Sequence, residues 1–236
     1  MIAEGLLRAG ARVIVTSRKP ESCAIAQKEL SAIGDCTATA LDLAIDGSVS
    51  EFAGRFAELS DSLDILVNNA GRTWSAPIET FPDKAWSSVL ALNLVAPFKL
   101  TQALLPFLTR RASPRNPSRV INVGSIAGHS IEPIQAFSYS CSKAALHHLT
   151  RQLAAELASR HINVNTVTPG YFRTTMTRHL QGDDGEPAGM LDGHVPVGRF
   201  GAPDDIAGAA IFLSSRAGAY VTGSELVVDG GVSGCR

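Results

Sequence analysis

The sequence predicts one α/β domain built on a doubly wound parallel sheet. Short apolar segments with β-branched residues alternate along the chain with segments of helical periodicity. The chain has 236 residues, of which 45% are hydrophobic and 18% charged, so it can bury one sizeable core. Strands that alternate with helices pair in parallel, and the helices cover both faces of the sheet. Since neither a linker nor a shift in composition divides the chain, we expect a single domain over residues 1–236.

The alternation begins with a helix. Ile2, Leu6 and Leu7 lie on one helical face, and Ala9-Gly10 ends this helix before a buried strand at 13–15. The later elements are expected in this order: helix 21–32, strand 37–41, helix 49–59, strand 64–71, helix 85–108, strand 119–125, helix 138–158, strand 162–170, helix 203–213 and strand 225–228. Residues 171–199 break the rhythm with the run "QGDDGEPAG", which is typical of a loop and predicts a lid over a substrate. Apolar side chains in this lid suit an apolar carbonyl compound: Met176, Leu180, Met190 and Leu191.

Composition and charge favour a small-molecule partner. The formal net charge is −1 and the two signs are interspersed, so neither a nucleic-acid stripe nor a polybasic membrane patch is expected. No apolar run reaches the roughly 18 residues of a membrane span. Four scattered cysteines, without a CxxC pair, favour free thiols in a reducing compartment and therefore the cytoplasm: Cys23, Cys36, Cys141 and Cys235. The six histidines lack metal-ligand spacing, so we expect packing or surface roles for them and no metal site.

Polar residues and glycines follow four predicted strands. They are Ser17-Arg18, Asp42, the segment 68–71 and Ser125. Ligands of open parallel sheets bind outside the carboxyl ends of the strands, so these positions are candidates for one binding site. Each of them, taken alone, is explained equally well as a turn, because turns favour the same residue types.

A tyrosine and a lysine one helical turn apart add a chemical signal. Tyr139 and Lys143 are i and i+4 on the predicted helix 138–158, so both side chains lie on the same face. The ammonium would favour the phenolate and lower the pKa of Tyr139 from about 10, towards the range of an acid–base catalyst. Ser125 would then bind the substrate oxygen beside the phenol. The pattern YxxxK by itself also fits an amphipathic helix with a surface Tyr and Lys.

Six stretches in order resemble the short-chain dehydrogenase/reductase family over almost the whole chain. They are "LDILVNNAG", "LNLVAPF", "RVINVGSIAG", "YSCSK", "INVNTVTPG" with Thr174, and "VTGSELVVDGG". The resemblance implies a Rossmann-like fold and a catalytic tetrad of Asn93, Ser125, Tyr139 and Lys143. Tyr139 would protonate the carbonyl oxygen as hydride arrives, Ser125 would orient that oxygen, Lys143 would hold the ribose and tune Tyr139, and Asn93 would anchor a relay water. The run from "NPSRVINVGSIAG" to "INVNTVTPG" is most similar to rhamnolipid-type 3-oxoacyl-[acyl-carrier-protein] reductases.

The resemblance also implies the cofactor site. Ser17-Arg18 stand where an acidic residue would bind the ribose 2′-OH of NAD, and the Arg18 guanidinium suits a 2′-phosphate, so we predict NADP(H). The resemblance implies three further groups of cofactor-binding residues. The pair that contacts the adenine is Asp42 and Leu43. The wall of the cofactor site is Asn69, Ala70 and Gly71, and the clamp that holds the nicotinamide is Pro169, Gly170, Phe172 and Thr174.

One part of the family pattern has no counterpart in the sequence. The family begins with a strand and a glycine-rich TGxxxGxG loop that binds the pyrophosphate, whereas Met1 already stands at the following helix, which indicates a truncated N-terminus. That strand would lie between the strands at 13–15 and 64–68, so two apolar strand edges are expected to face a gap. Three alternatives follow: an enzyme whose start lies upstream, a short product that does not catalyse, and a non-catalytic nucleotide-binding or interaction module. The complete protein is expected to form a homo-dimer or homo-tetramer.

Overall fold

The computed structural model describes residues 1–131, 134–174, 177 and 193–235, and within them it confirms the predicted alternation of strands and helices. The strands are β1 Val13–Ser17, β2 Cys36–Ala40, β3 Ile65–Asn68, β4 Ser118–Val123, β5 Ile162–Pro169 and β6 Glu225–Val228. The helices are α1 Ile2–Arg8, α2 Pro20–Ser31, α3 Ser48–Leu59, α4 Asp83–Leu90, α5 Ala96–Thr109, α6 Phe137–Leu157 and α7 Pro203–Ser214. Most of the predicted lid lies outside the described residues, including its apolar side chains Met176, Leu180, Met190 and Leu191.

All strand pairs are parallel, but they form two sheets. β1 pairs with β2, and the second sheet has the order β3-β4-β5-β6. Among the described residues, β1 and β3 each pair with a strand on one side only, which confirms the expectation that both are edge strands. Edge strands carry unpaired main-chain groups, an arrangement that favours pairing with another strand.

Helices cover both faces of the larger sheet, as the doubly wound fold predicts. On one face, Phe56, Leu104 and Leu157 from α3, α5 and α6 pack against Val120 and Val164 of the sheet, and all five side chains are buried. On the other face, α7 packs through Ile206, Ala210 and Leu213 against Ile121 and Val167. Helix α1 lies directly on α7, because a Cβ at Gly5 would stand only 2.5 Å from the Cβ of Ala207. A larger residue at position 5 would therefore separate the two helices.

The predicted helix 85–108 has an irregularity at its centre. It begins at Asp83, and between α4 and α5 the backbone widens into a π-helical turn, Ala91–Val95. Pro97 supplies no N–H to an α-helical hydrogen bond, which accounts for the change of geometry at this point. The wide turn carries Asn93, which is 1% exposed, towards the carboxyl ends of the strands.

The segment Asp83–Thr109 is also long and apolar enough to span a membrane, by length and composition alone, with a mean hydropathy of 1.4. The expectation that no segment reaches this limit was therefore too strict. Leu100, Leu104 and Leu108 of the same segment are buried against the sheet. This packing is typical of a core helix, which passes the same test of length and composition.

Candidate active site

Three neighbouring strands carry the candidate residues to one edge of the larger sheet. Asn68, Asn122 and Thr166 are register partners on β3, β4 and β5. Since the strands are parallel, the segments that follow them leave the sheet on the same side. These segments hold Asn69, Ala70 and Gly71 after β3, and Ser125 after β4.

Helix α6 brings Tyr139 and Lys143 to this edge, as their i, i+4 spacing predicts. Tyr139 is half-buried and hydrogen-bonds with Ser125. Lys143 is buried; its Nζ donates to the carbonyl oxygen of Val123 at 2.6 Å and lies 5.7 Å from the centre of the Tyr139 ring. Ser125 begins a short 3₁₀ turn, where its Oγ accepts from the N–H of Ala127 at 3.3 Å. The three side chains therefore meet although they come from two elements.

The pKa of Tyr139 differs from the sequence-based expectation. Burial raises this pKa, and the hydrogen bond with Ser125 partly offsets the increase. Lys143 does not contribute to the shift. Burial also lowers the pKa of Lys143 to about 8. The prediction that Lys143 lowers the pKa of Tyr139 was wrong because it counted charge and omitted desolvation.

Asn93 joins the same group through its side-chain amide. Its Oδ1 accepts from the N–H of Arg72 at 2.9 Å, and its Nδ2 donates to the Arg72 carbonyl at 2.9 Å and to Ser142 Oγ at 3.0 Å. Ser142 Oγ in turn donates to the Tyr139 carbonyl at 2.6 Å. A Cβ at Gly71 would lie 3.5 Å from Asn93 Oδ1 and 3.8 Å from Lys143 Nζ. The chain after β3 thus passes close to two members of the tetrad.

The predicted adenosine-binding residues lie at the carboxyl ends of β1 and β2. Ser17 ends β1, Arg18 is exposed, and both Arg18 and Asp42 line a cavity of about 420 Å³. Asp42 is held in its turn by the N–H of Ala44, which donates to Oδ1 at 3.0 Å. Leu43 packs against the core below the turn. Arg55 of α3 lines the same cavity and adds a second guanidinium to it. This residue was not predicted, because it belongs to none of the sequence motifs.

The residues predicted to clamp the nicotinamide follow β5. Pro169 ends this strand, and a Cβ at Gly170 would stand 2.7 Å from the Cβ of Asp229, so only glycine fits there. The ring of Phe172 is buried. It packs on Gly201 and in the core cluster that contains Ile121 and Val167. Thr174 is exposed, and its N–H donates to Thr177 Oγ1 at 3.0 Å.

A buried polar ladder beneath the site was not predicted. Asn68 Nδ2 donates to Asn122 Oδ1 at 2.8 Å, and Asn122 Nδ2 donates to Thr150 Oγ1 at 2.8 Å. Thr166 Oγ1 also bonds with Thr150 Oγ1 at 2.8 Å. The ladder ties β3, β4 and β5 to α6 just below the catalytic candidates. Polar residues inside otherwise apolar strands, as in "LVNN", "VINV" and "VNTV", are the sequence signal that could have revealed it.

We expect Asn122→Ala to lower the free energy of unfolding by about 2–4 kcal/mol, because each buried polar group left without a partner costs about 1–3 kcal/mol. Asn122 is fully buried, and its loss would leave Asn68 Nδ2 with only the 3.5 Å bond to Thr101 Oγ1 and remove the donor to Thr150. Urea unfolding at equilibrium measures the change. Asn69→Ala, an exposed amide just after β3, is the control and should change the free energy by less than about 0.5 kcal/mol. Equal losses in the two variants would contradict the role of the ladder.

A second unpredicted group contains His129, His147 and Glu225, whose ligand-type atoms lie within 4.8 Å of one another. His147 is buried, which confirms the packing role expected for a histidine, whereas the proximity of an acid and a second imidazole was not expected. No spacing signal could have found the group, because its members come from a loop, α6 and β6.

Comparisons with known proteins agree with this geometry. A family model described as "Enoyl-(Acyl carrier protein) reductase" matches residues 1–233. A rhamnolipids biosynthesis 3-oxoacyl-[acyl-carrier-protein] reductase from Pseudomonas aeruginosa is 48% identical over 231 residues, which cover 98% of this chain and 90% of that protein. A gluconate 5-dehydrogenase from Gluconobacter oxydans is 35% identical, with coverage of 98% and 89%. The solved structure described as the Pseudomonas aeruginosa RhlG/NADP active-site complex superposes with a TM-score of 0.93 at 47% identity, and covers 98% of this chain and 90% of that one.

Proposed function

Since this chain belongs to the short-chain dehydrogenase/reductase family, we propose that it is an NADP(H)-dependent oxidoreductase that reduces the keto group of a 3-oxoacyl thioester or of another apolar ketone. The observation that carries the proposal is the convergence of Tyr139, Ser125 and Lys143 at the ends of β3 and β4, with Asn93 tied to the same helix. A phenol beside a hydroxyl and a buried ammonium is suited to give a proton to a carbonyl oxygen.

The protonation states favour the direction of reduction. Burial raises the pKa of Tyr139, so the phenol carries its proton at neutral pH. NADPH, when bound, would supply the hydride, and negative charge would then develop on the carbonyl oxygen. Tyr139 then donates its Oη proton to that oxygen, and the Ser125 hydroxyl donates a hydrogen bond to it. The ammonium of Lys143 stabilises the phenolate that remains.

Asn93 completes the path by which Tyr139 regains its proton. Its two amide protons and one of its Oδ1 lone pairs are already engaged with Arg72 and Ser142. Its main-chain carbonyl lacks an α-helical donor, because the residue four positions later is Pro97. We assign this carbonyl as the acceptor that holds a relay water beside Lys143.

Residues at two ends of the site fit NADP(H). Arg18 offers a planar set of donors at the rim of the cavity that follows β1 and β2, where a 2′-phosphate would bind. At the other end, Gly71 lies beside Asn93 and Lys143, where the ribose and nicotinamide would bind. Pro169, Gly170, Phe172 and Thr174 remain the proposed clamp, and Asn69 and Ala70 the proposed wall.

Aromatic side chains beside Tyr139 support an apolar substrate. Phe137, which begins α6 two residues before Tyr139, contacts Phe81 with ring centres 5.3 Å apart. Phe81 also contacts Trp86 at 6.1 Å, and both Phe137 and Trp86 are partly exposed. An acyl chain could therefore leave the tetrad along an apolar wall. The substrate of the Pseudomonas reductase, a 3-oxoacyl group on an acyl-carrier protein, has this character.

The proposal is tested by following NADPH oxidation with a short 3-oxoacyl thioester, with NADH as the alternative cofactor. We expect turnover with both and a preference for NADPH. Arg18→Ala should weaken NADPH binding by about tenfold or more, because a charge-assisted hydrogen bond contributes about 1.5–3 kcal/mol, and should leave NADH binding nearly unchanged. Fluorescence titration of each cofactor measures the two affinities.

Two outcomes would contradict the proposal. Equal weakening of NADPH and NADH by Arg18→Ala would remove the 2′-phosphate role from Arg18. A folded wild-type chain that oxidises neither cofactor with any keto thioester would contradict the catalytic function. Arg12→Ala is the matched control, because Arg12 is exposed at the amino end of β1, opposite to Arg18, and donates to the Leu59 carbonyl at 2.8 Å.

We also propose that the enzyme works in the cytoplasm as a homo-dimer or homo-tetramer. The four cysteines are unpaired, as in proteins of reducing compartments. Trp86, Val95 and Phe98 are exposed along α4, the π-turn and α5 and provide an apolar surface for a second copy.

A further inference from the structure

The group of His129, His147 and Glu225, here called the His–Glu cluster, lies beside the proposed catalytic turn. Glu225 Oε1 lies 3.0 Å from Nδ1 of His129, and its Oε2 lies 3.5 Å from Nδ1 of His147. His147 is 5% exposed and stands one helical turn after Lys143 on α6. Glu225 begins β6, so it links an edge strand of the sheet to the helix that carries Tyr139 and Lys143.

The His147 ring fills the space under the segment that holds Ser125. A Cβ at Gly124 would stand 2.3 Å from Nε2 of His147, and a Cβ at Gly128 would stand 2.7 Å from its Cε1. These two glycines flank Ser125 and its 3₁₀ turn, Ile126–Gly128. The same segment is held at its start by Lys143, which donates to the Val123 carbonyl. Residues 123–128, the Ser125 turn, are thus fixed to α6 at two places, by Lys143 and by His147.

The hydrogen-bond partners of His147 define its tautomer. Its Nε2 is buried and has no hydrogen-bond partner among the described residues, whereas its Nδ1 faces the Glu225 carboxylate. A proton on Nε2 would be a buried donor without an acceptor among the described residues, so the proton resides on Nδ1, which faces the Glu225 carboxylate at 3.5 Å. Burial lowers the pKa of His147, in keeping with a neutral ring.

This tautomer also decides between a metal-free imidazole–carboxylate cluster and a metal site. Two imidazoles and a carboxylate have the composition of a zinc site. Metal binding through Nδ1 of His147 would move the ring proton to Nε2, where ligating histidines normally donate to an acceptor, and the described part of the chain offers none there. The metal-free arrangement therefore fits the surroundings better.

We propose that His147 and Glu225 are positioning residues that hold the Ser125 turn against α6 and so keep the Ser125 hydroxyl within hydrogen-bond reach of Tyr139. The proposal rests on the proposed function in that it takes Ser125 and Tyr139 as the catalytic pair. Neither His147 nor Glu225 contacts the reacting atoms; each acts through the turn. His129, which is partly exposed, shares the carboxylate and restrains it from the loop side.

The kinetic test compares His147→Leu, Glu225→Ala and the double variant. We expect each single variant to lower kcat by about 10- to 100-fold with KM for NADPH unchanged, because a small misplacement of a catalytic group has an effect of this size. If the two residues act as a unit, kcat of the double variant is no lower than kcat of the single variants. His148→Leu is the matched control: His148 is the next residue on α6, is exposed, and should leave kcat unchanged. Additive losses would overturn the proposal.

A second readout does not depend on turnover. The Ser125 hydrogen bond lowers the pKa of Tyr139, so releasing the turn should move the ionisation of Tyr139 to higher pH. Near-ultraviolet absorbance follows phenol ionisation in the free protein, with Tyr139→Phe subtracted to isolate this residue. We expect an upward shift in His147→Leu and Glu225→Ala and none in His148→Leu. Because Glu225 is partly exposed, Glu225→Ala retains the fold even if His147→Leu does not.

The outcomes separate the positioning role from the proposed function. A wild-type protein without turnover contradicts the proposed function, while the shift of the Tyr139 titration still tests the positioning role. An unchanged titration in Glu225→Ala and His147→Leu, accompanied only by a lower melting temperature, would show that His147 merely packs. Stoichiometric Zn²⁺ binding that is lost in Glu225→Ala would overturn the assignment of a metal-free cluster as well.

Discussion

Tyr139→Phe is expected to lower kcat for carbonyl reduction by about 10²- to 10⁴-fold, the usual contribution of a positioned general acid. The substitution removes only the phenolic oxygen and leaves the ring in its half-buried place on the first turns of α6. NADPH affinity should remain, because the adenosine end of the site, with Arg18 and Asp42, lies at a different pair of strands. Single-turnover oxidation of NADPH measures the loss at the chemical step, and fluorescence titration measures affinity.

Tyr220→Phe is the control for this prediction. Tyr220 is fully exposed, so the loss of its hydroxyl should leave both turnover and binding unchanged. If Tyr139→Phe reduced ketones at the wild-type rate, the proton would have to come from another donor, and the role assigned to Tyr139 would be wrong. A parallel loss of NADPH binding would mean instead that Tyr139 holds the cofactor.

Lys143→Met should lower kcat by about 10²- to 10³-fold, comparable to the loss of one preorganised donor in an active site. Methionine retains the length and apolar stem of lysine but removes the ammonium that would stabilise the Tyr139 phenolate. It also removes the donor to the Val123 carbonyl, so the Ser125 turn loses one of its two ties to α6. If Lys143→Met kept the wild-type kcat, the ammonium would have no part in the reaction.

The pKa of Lys143 predicts two pH dependences. Because burial lowers this pKa to about 8, the ammonium is lost as pH rises through that value, and kcat of the wild type should fall there. For stability the sign is opposite: between about pH 8 and the ordinary lysine pKa of 10.5, the unfolded chain binds more protons than the folded one, so the free energy of unfolding rises with pH. In Lys143→Met both dependences should disappear. Kinetic pH profiles and urea unfolding at several pH values measure them.

The elements and most of the site could be predicted from the sequence because they depend on local spacing. The alternation of strands and helices needs only periodicity, and the i, i+4 spacing of Tyr139 and Lys143 places both on one helix face wherever that helix packs. Parallel pairing then brings Ser125 to the same edge as Gly71, since both follow neighbouring strands. The site residues themselves stay predictions until the variants are measured.

The remaining features depend on tertiary packing. The pKa of Tyr139 is raised because this side chain is buried, and a sequence motif does not encode the depth of burial. The His–Glu cluster joins residues from a loop, a helix and a strand that no local spacing connects. The strand sequences show the polar residues of the buried ladder, but the bond between Asn122 and Thr150 of α6 follows only from how that helix packs.

The π-turn at Ala91–Val95 lets the helix hold one residue more than a regular α-helix would need at this point. Because the wide turn absorbs that residue, α5 keeps its rotation relative to α4. Ala85 and Val89 before the turn and Leu100, Leu104 and Leu108 after it are therefore all buried. Deleting one residue from the turn would close it into regular α-helix and leave both apolar stripes facing the core, but it would move Asn93 away from Arg72 and Ser142. The extra residue thus serves the site and not the packing of the helix.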